Sequence, residues 1–212
     1  MKPLIVANWK CNPKTLEEAK LIFDAVKDIK DGEVIICPPF IYLSALKANG
    51  AQDAFWEDGG AYTGAIAPTM LKNLGVTHVI VGHSERRKYF KEKNEVIEKK
   101  IDALLACGLK PILCIDKLSQ LPKNLDQEAI IAYEPLFAIG TGKACGLDKA
   151  EAMRVAIQRA TGDKNKILYG GSVNARNAKD YICQAGFQGL LVGGASLNPE
   201  EFIDIVKNVC YC

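Results

Sequence analysis

Glu134 ends a short apolar run, Ala129-Ile130-Ile131-Ala132-Tyr133-Glu134, which reads as a buried strand. A charge in that place is costly unless it has a task. Pro135 then gives the following segment a stiff start, and Gly140 and Gly142 give it flexible points. This is the composition of a hinged lid. A base that loses its water under such a lid suits proton abstraction. Two other strand ends carry reactive groups. Asn8-Trp9-Lys10 closes the first apolar run, where Lys10 can hold an anion, although a solvated loop cation is the plainer reading. Gly82-His83-Ser84-Glu85-Arg86-Arg87 closes another, and His83 opens a polar turn into a short helix. The helix dipole disfavours a charged imidazole there, so a neutral His83 could donate to a carbonyl. His78, toward the opposite end of the same run, reads as structural.

Two glycine pairs follow the last two apolar runs: Tyr169-Gly170-Gly171-Ser172-Val173-Asn174 and Leu191-Val192-Gly193-Gly194-Ala195-Ser196. Glycines let backbone N–H groups approach an anion closely. One such pair is an ordinary turn. Two at matching positions suit a phosphate.

The elements that would carry these groups alternate along the chain. Strands are expected at 4–8, 33–37, 51–55, 77–82, 110–115, 129–134, 166–170 and 188–193. Most are continuously apolar, as strands buried on both faces are, which favours a parallel sheet. Helices fall between them. Thr15 caps one, with Glu18 completing a capping box. Others are expected at 94–107, 148–160, 175–184 and 199–209, the last capped by Asn198 with Pro199 in its first turn. Eight strands alternating with helices point to an α/β fold, a (β/α)8 barrel in one domain over residues 1–212. A doubly wound open sheet is the alternative, but no GxGxxG follows the first strand. Only residues 116–128, interrupted by Pro122, separate the fifth and sixth strands. The fifth helix is therefore expected to be vestigial and the barrel wall beside it poorly covered.

Composition narrows the class. The chain has 212 residues, 49% hydrophobic and 25% charged, as ordinary globular proteins do. A net charge of +2 gives no argument for nucleic acid. No apolar run reaches the roughly 18 residues of a membrane span, and the first residues have too short an apolar core for a signal peptide. Eight cysteines without a CxxC, and two histidines, suggest no metal site. Reduced thiols in a cytoplasmic protein are expected, with weak scope for Cys210 and Cys212 to oxidise.

Taken together, Asn8-Trp9-Lys10, Gly60-Ala61-Tyr62-Thr63-Gly64, Gly82-His83-Ser84-Glu85-Arg86-Arg87, Ala132-Tyr133-Glu134-Pro135 with Ala138-Ile139-Gly140-Thr141-Gly142, Tyr169-Gly170-Gly171-Ser172-Val173 and Gly193-Gly194-Ala195-Ser196 resemble the triosephosphate isomerase family. They occur in the family's order and span nearly the whole chain. The family is a standard case of an acid–base pair working under a closing loop. The resemblance implies interconversion of dihydroxyacetone phosphate and D-glyceraldehyde 3-phosphate through an enediolate, without cofactor or metal. It makes Glu134 the base and His83 the neutral electrophile. Asn8 and Lys10 become substrate contacts, with Lys10 offsetting developing charge. Gly140, Ser172, Gly193 and Gly194 match the phosphate grip. Ser84 and Glu85 match supports for His83 and Lys10, and Leu136, Phe137, Ala138, Ile139, Gly140 and Thr141 match the lid. The loop from Gly59 to Gly64 resembles the arm that enters a second subunit, so the resemblance implies a homodimer, with neither nucleic acid nor membrane as partner.

Several positions depart from the family pattern. Leu136-Phe137 stands for Val/Ile-Trp at the start of the lid, which puts lid timing in question. Ala65 stands for the Glu after Tyr-Thr-Gly, and Cys114-Ile115-Asp116-Lys117 lacks a Gly-Glu. The chain is short for a barrel of about 250 residues. Two other readings stay open: another phosphate-binding barrel enzyme of the indole-glycerol-phosphate or ribulose-phosphate type, and a non-catalytic barrel used for binding.

Overall fold

The computed structural model describes residues 2–138 and 144–210. Eight strands form one sheet in the order β2-β1-β8-β7-β6-β5-β4-β3. They are β1 (Leu4–Asn8), β2 (Glu33–Cys37), β3 (Gly50–Ala51), β4 (His78–Val81), β5 (Lys110–Ile115), β6 (Ile130–Tyr133), β7 (Ile167–Tyr169) and β8 (Gly189–Val192). Every strand pairing in the sheet is parallel. The helices are α1 (Leu16–Val26), α2 (Phe40–Leu46), α3 (Pro68–Asn73), α4 (Ser84–Tyr89), α5 (Asn94–Ala106), α6 (Leu147–Thr161), α7 (Ala178–Cys183) and α8 (Pro199–Val209). This is the expected (β/α)8 barrel, with a shortened fifth unit.

The sheet closes between β2 and β3 through a side chain. The Asn49 amide donates to Val34 O at 2.9 Å and accepts from the Ile36 N–H at 2.9 Å, pairing with β2 as a strand backbone would. Gly50 leaves the necessary space, since a Cβ there would lie 2.5 Å from Cys37 Sγ. The third strand is much shorter than the 51–55 expected. Gln52 leaves the sheet and donates to Lys10 O at 2.8 Å and Cys37 O at 2.9 Å, tying two strand ends together.

Alternation along the strands sorts the core into two layers. Leu4, Val6, Ile35, Cys37, Ile80, Ile112, Cys114, Ile130, Ala132, Leu168 and Leu191 form one buried cluster drawn from seven strands, which fills the barrel. Neighbours of opposite parity, such as Ile5, Val79, Leu113, Ile131 and Val192, pack outward under the helices. Thr15 Oγ1 accepts the Glu18 N–H at 3.2 Å, and Asn198 Oδ1 accepts the Glu201 N–H at 3.2 Å, so both predicted caps form. Helices α2 and α3 have seven and six residues, too short to show a periodic apolar stripe in sequence.

The fifth unit keeps only a one-turn 3-10 helix, Leu118–Gln120. The wall beside it is nevertheless covered, contrary to the expectation. Leu121 and Leu125 pack onto the core, and Leu113, Ile115, Ile131 and Tyr133 are all buried. Asn165 Nδ2 donates to Asp126 O and Ala129 O at 2.8 Å each, fixing the return of the chain into β6. Cys183 is disulfide-bonded, which corrects the expectation of reduced thiols outside the Cys210 and Cys212 pair; the other six described cysteines, Cys210 among them, are free. No helix among the described residues is long and apolar enough to cross a membrane.

Candidate active site

The site is the next layer above the barrel filling. Val6, Ala132, Leu168 and Leu191 belong to that filling. Two residues further along their strands come Asn8, Glu134, Gly170 and Gly193, which keep the inward parity. These four, with Lys10, His83, Ser172 and Gly194, line one cavity of about 350 Å³. It lies where the C-terminal ends of the strands converge, the end on which barrel enzymes carry their active sites.

His83 enters the cavity because the alternation breaks. Gly82 has φ of +66°, a left-handed turn that redirects the chain. A Cβ there would also meet Arg87 and Ile97 atoms at 3.0 Å. The His83 ring then caps α4: its Nδ1 accepts the Glu85 N–H at 3.2 Å. That bond leaves the ring proton of the neutral form on Nε2, which faces Glu134 Oε1 at 3.0 Å. The other Glu134 oxygen accepts the Ser84 N–H at 3.2 Å. Glu134 is only 3% exposed, and Gly170 makes room for it, since a Cβ there would come within 3.0 Å of Glu134 Cγ.

Opposing influences set the ionisation of this pair. Burial pushes the Glu134 carboxyl up, but the charge and hydrogen bond of His83 and the Ser84 N–H outweigh it and hold the pKa below the usual value. Burial pushes His83 down, but the Glu134 carboxylate and Glu85 raise it above the usual imidazole value. The dipole of α4 acts in the opposite direction, disfavouring the charged imidazole. The Glu134 contact opposes that effect, while Nδ1, as acceptor of the Glu85 N–H, carries no proton in this geometry.

Lys10 adopts a left-handed φ of +54°, uncommon outside glycine. Its N–H donates to Asn8 Oδ1 at 3.0 Å, and Gln52 holds its carbonyl. Its ammonium pairs with Glu85 Oε1 at 2.6 Å. Glu85 thus touches both His83 and Lys10, whereas the Ser84 N–H goes to Glu134 and not to either of the groups suggested for it. Ser172 Oγ donates to Ala138 O, tying the seventh loop to the 3-10 turn Leu136–Ala138. Beyond that turn, the Cys145 N–H donates to Tyr169 Oη at 3.1 Å. Leu136 and Phe137 are exposed, and Lys149 Nζ sits 4.2 Å from the Phe137 ring centre. Ile139, Gly140 and Thr141 lie outside the described residues, so the lid and phosphate roles suggested for them are not addressed by this geometry.

His78 sits away from the cavity, paired through Nδ1 with Thr77 Oγ1 at 2.8 Å and lowered by burial to a pKa of about 4. Sequence reasoning missed Gln52, which braces Lys10. It also missed a buried network behind the His83 turn. There Lys100 Nζ lies 2.7 Å from Asp53 and from Glu92, and Arg86 reaches the same two carboxylates at 2.8 and 2.6 Å. No local spacing announces these partners, because Asp53 and Lys100 are 47 positions apart. Among the described residues no group of three His, Cys, Asp or Glu side chains is placed to hold a metal ion.

A parallel barrel with a buried carboxylate–imidazole pair at its mouth, a lysine beside it and two glycine loops opposite defines a phosphate-binding acid–base enzyme class. The sequence model of the family described as triosephosphate isomerase matches residues 3–209. Curated triosephosphate isomerases are similar over nearly full length. That of Caldanaerobacter subterraneus subsp. tengcongensis is 39% identical, the alignment covering 97% of this chain and 99% of the relative. That of Roseiflexus sp. is 41% identical with 96% of each chain covered, and that of Dehalococcoides mccartyi 42% identical with 98% and 96% covered. The chain belongs to the triosephosphate isomerase family. The first alignment spans 245 positions, more than the 212 residues of this chain, so that relative carries residues this chain lacks.

Proposed function

We propose that the protein interconverts dihydroxyacetone phosphate and D-glyceraldehyde 3-phosphate by proton transfer through an enediolate. The observation that carries this is the placement of Glu134 and His83 in one cavity with Lys10 and both glycine pairs. The substrate phosphate sits on the backbone of Gly170–Gly171 and Gly193–Gly194 with Ser172, where N–H groups can converge on an anion. Asn8 and Lys10 contact the triose. Glu134 leaves the Ser84 N–H and takes a proton from the carbon next to the carbonyl, then returns it to the neighbouring carbon.

The same movement resets His83. The carboxylate contact raises its pKa while Glu134 lies against it, and burial opposes it. Once Glu134 turns to the substrate that contact is lost, and burial and Lys10 pull the pKa down against Glu85 alone. The Glu85 N–H keeps Nδ1 unprotonated, so Nε2–H donates to the substrate oxygens. Lys10 offsets the negative charge that develops there. Closure of the segment starting at Leu136 excludes water, strengthens these interactions and retains the enediolate. Remote phosphate binding drives the closure.

The protein works as a homodimer in the cytoplasm. The exposed loop from Gly59 to Gly64, with Tyr62 and Thr63 at its tip, reaches the partner subunit. The Tyr62 ring packs at a tilt against Phe55, 4.7 Å between ring centres, and Phe55 against Trp56 at 4.0 Å. An assay in which glycerol-3-phosphate dehydrogenase consumes dihydroxyacetone phosphate tests the activity. NADH oxidation from D-glyceraldehyde 3-phosphate supports it, and none at micromolar protein contradicts it.

A further inference from the structure

Lys10 and Glu134 line two cavities at once. One is the site above. The other, about 570 Å³, opens beyond them over the end of β5, where the shortened fifth unit turns away through Asp116 and Lys117. Its lining is weighted toward cations by the pairings already made. Glu85 and Glu134 are engaged by Lys10 and His83, which leaves Arg87, Lys88 and Lys117 against Asp116. Arg87 is half-buried and donates to Gly82 O at 2.7 Å, Asn94 Oδ1 at 2.7 Å and, weakly, Cys114 O at 3.4 Å. All three acceptors are neutral, and Asp116, Glu92 and Glu134 act on the guanidinium only from beyond ion-pair distance. A half-buried cation whose hydrogen bonds all go to neutral groups, on the wall of an open cavity, is complementary to an oxyanion.

We propose that this second cavity binds the far oxyanionic group, phosphate or carboxylate, of a ligand longer than a triose whose first phosphate occupies the glycine loops. Such a bis-anionic molecule spans both cavities, passes between Lys10 and Glu134, and competes with the substrate. The proposal rests on the phosphate assignment made above for Gly170–Gly171 and Gly193–Gly194.

The test is competitive inhibition of the isomerase by α,ω-pentanediol bisphosphate and by its phosphocarboxylate counterpart, each against pentyl phosphate. The expected result is inhibition by at least one bis-anion on the order of tenfold stronger than by the mono-anion, as charge-assisted hydrogen bonds supply. The two bis-anions distinguish phosphate from carboxylate as the far group. Lys88→Ala with Lys117→Ala, and separately Arg87→Gln, should each shrink the ratio, and the double lysine variant should leave KM and inhibition by pentyl phosphate unchanged. Equal inhibition by bis- and mono-anions, or a ratio untouched by all three substitutions, overturns the proposal. Failure of glycerol 3-phosphate to compete at all would instead remove the phosphate assignment beneath it.

Discussion

At the residue scale the protein balances a buried carboxylate against a buried imidazole. His83 and the Ser84 N–H are what keep Glu134 ionised despite its burial. Removing the imidazole leaves burial as the dominant influence, and burial raises a carboxyl pKa. His83→Gln is therefore expected to do two things. The rate should fall by about 10²–10⁴-fold, and the acidic limb of the kcat/KM profile should move to higher pH, because Glu134 must be deprotonated to act. A pH–rate profile with its acidic limb unmoved would contradict this coupling. Lys10→Met should abolish measurable binding of glycerol 3-phosphate by calorimetry, and unchanged affinity would remove the charge role of Lys10. The sequence made Glu134, His83 and Lys10 legible because each ends a strand. It could not show the direction in which His83 is shifted, which depends on a contact between residues 51 positions apart.

At the element scale, the strand ends do the positioning, and strand parity explains which residues meet. Val6 to Asn8, Ala132 to Glu134, Leu168 to Gly170 and Leu191 to Gly193 are the same step taken on four strands. That pattern was readable once the strands were. The seam between β2 and β3 was not, because its hydrogen bonds run through the Asn49 side chain and not through a strand. Asn49→Ala should cost roughly 2–4 kcal/mol in urea unfolding, since it strands the Ile36 N–H and the Val34 carbonyl. A loss below about 0.5 kcal/mol would mean that water replaces the amide without penalty. The missing fifth helix followed from the length of the connection. Coverage of the wall did not, because it depends on Leu121 and Leu125 folding back onto the core.

At the scale of the whole molecule, the barrel interior is packed with apolar side chains and the chemistry sits in the layer above it. Shortening a unit on the outside therefore leaves the four positioning strands intact while opening space beside the site. Subunit association belongs to this scale. Sedimentation velocity at assay concentration should give a dimer, and substitution of Tyr62 and Thr63 by Asp should give monomer with lost activity. A fully active monomer would contradict the role of the Gly59–Gly64 arm. The central claim is that the buried Glu134 carboxylate moves the proton, and Glu134→Gln tests it most directly in the coupled assay with D-glyceraldehyde 3-phosphate. The account predicts a fall in kcat of at least about a thousandfold, with unfolding and glycerol 3-phosphate affinity close to those of the unsubstituted protein. Turnover within tenfold of that protein would contradict it.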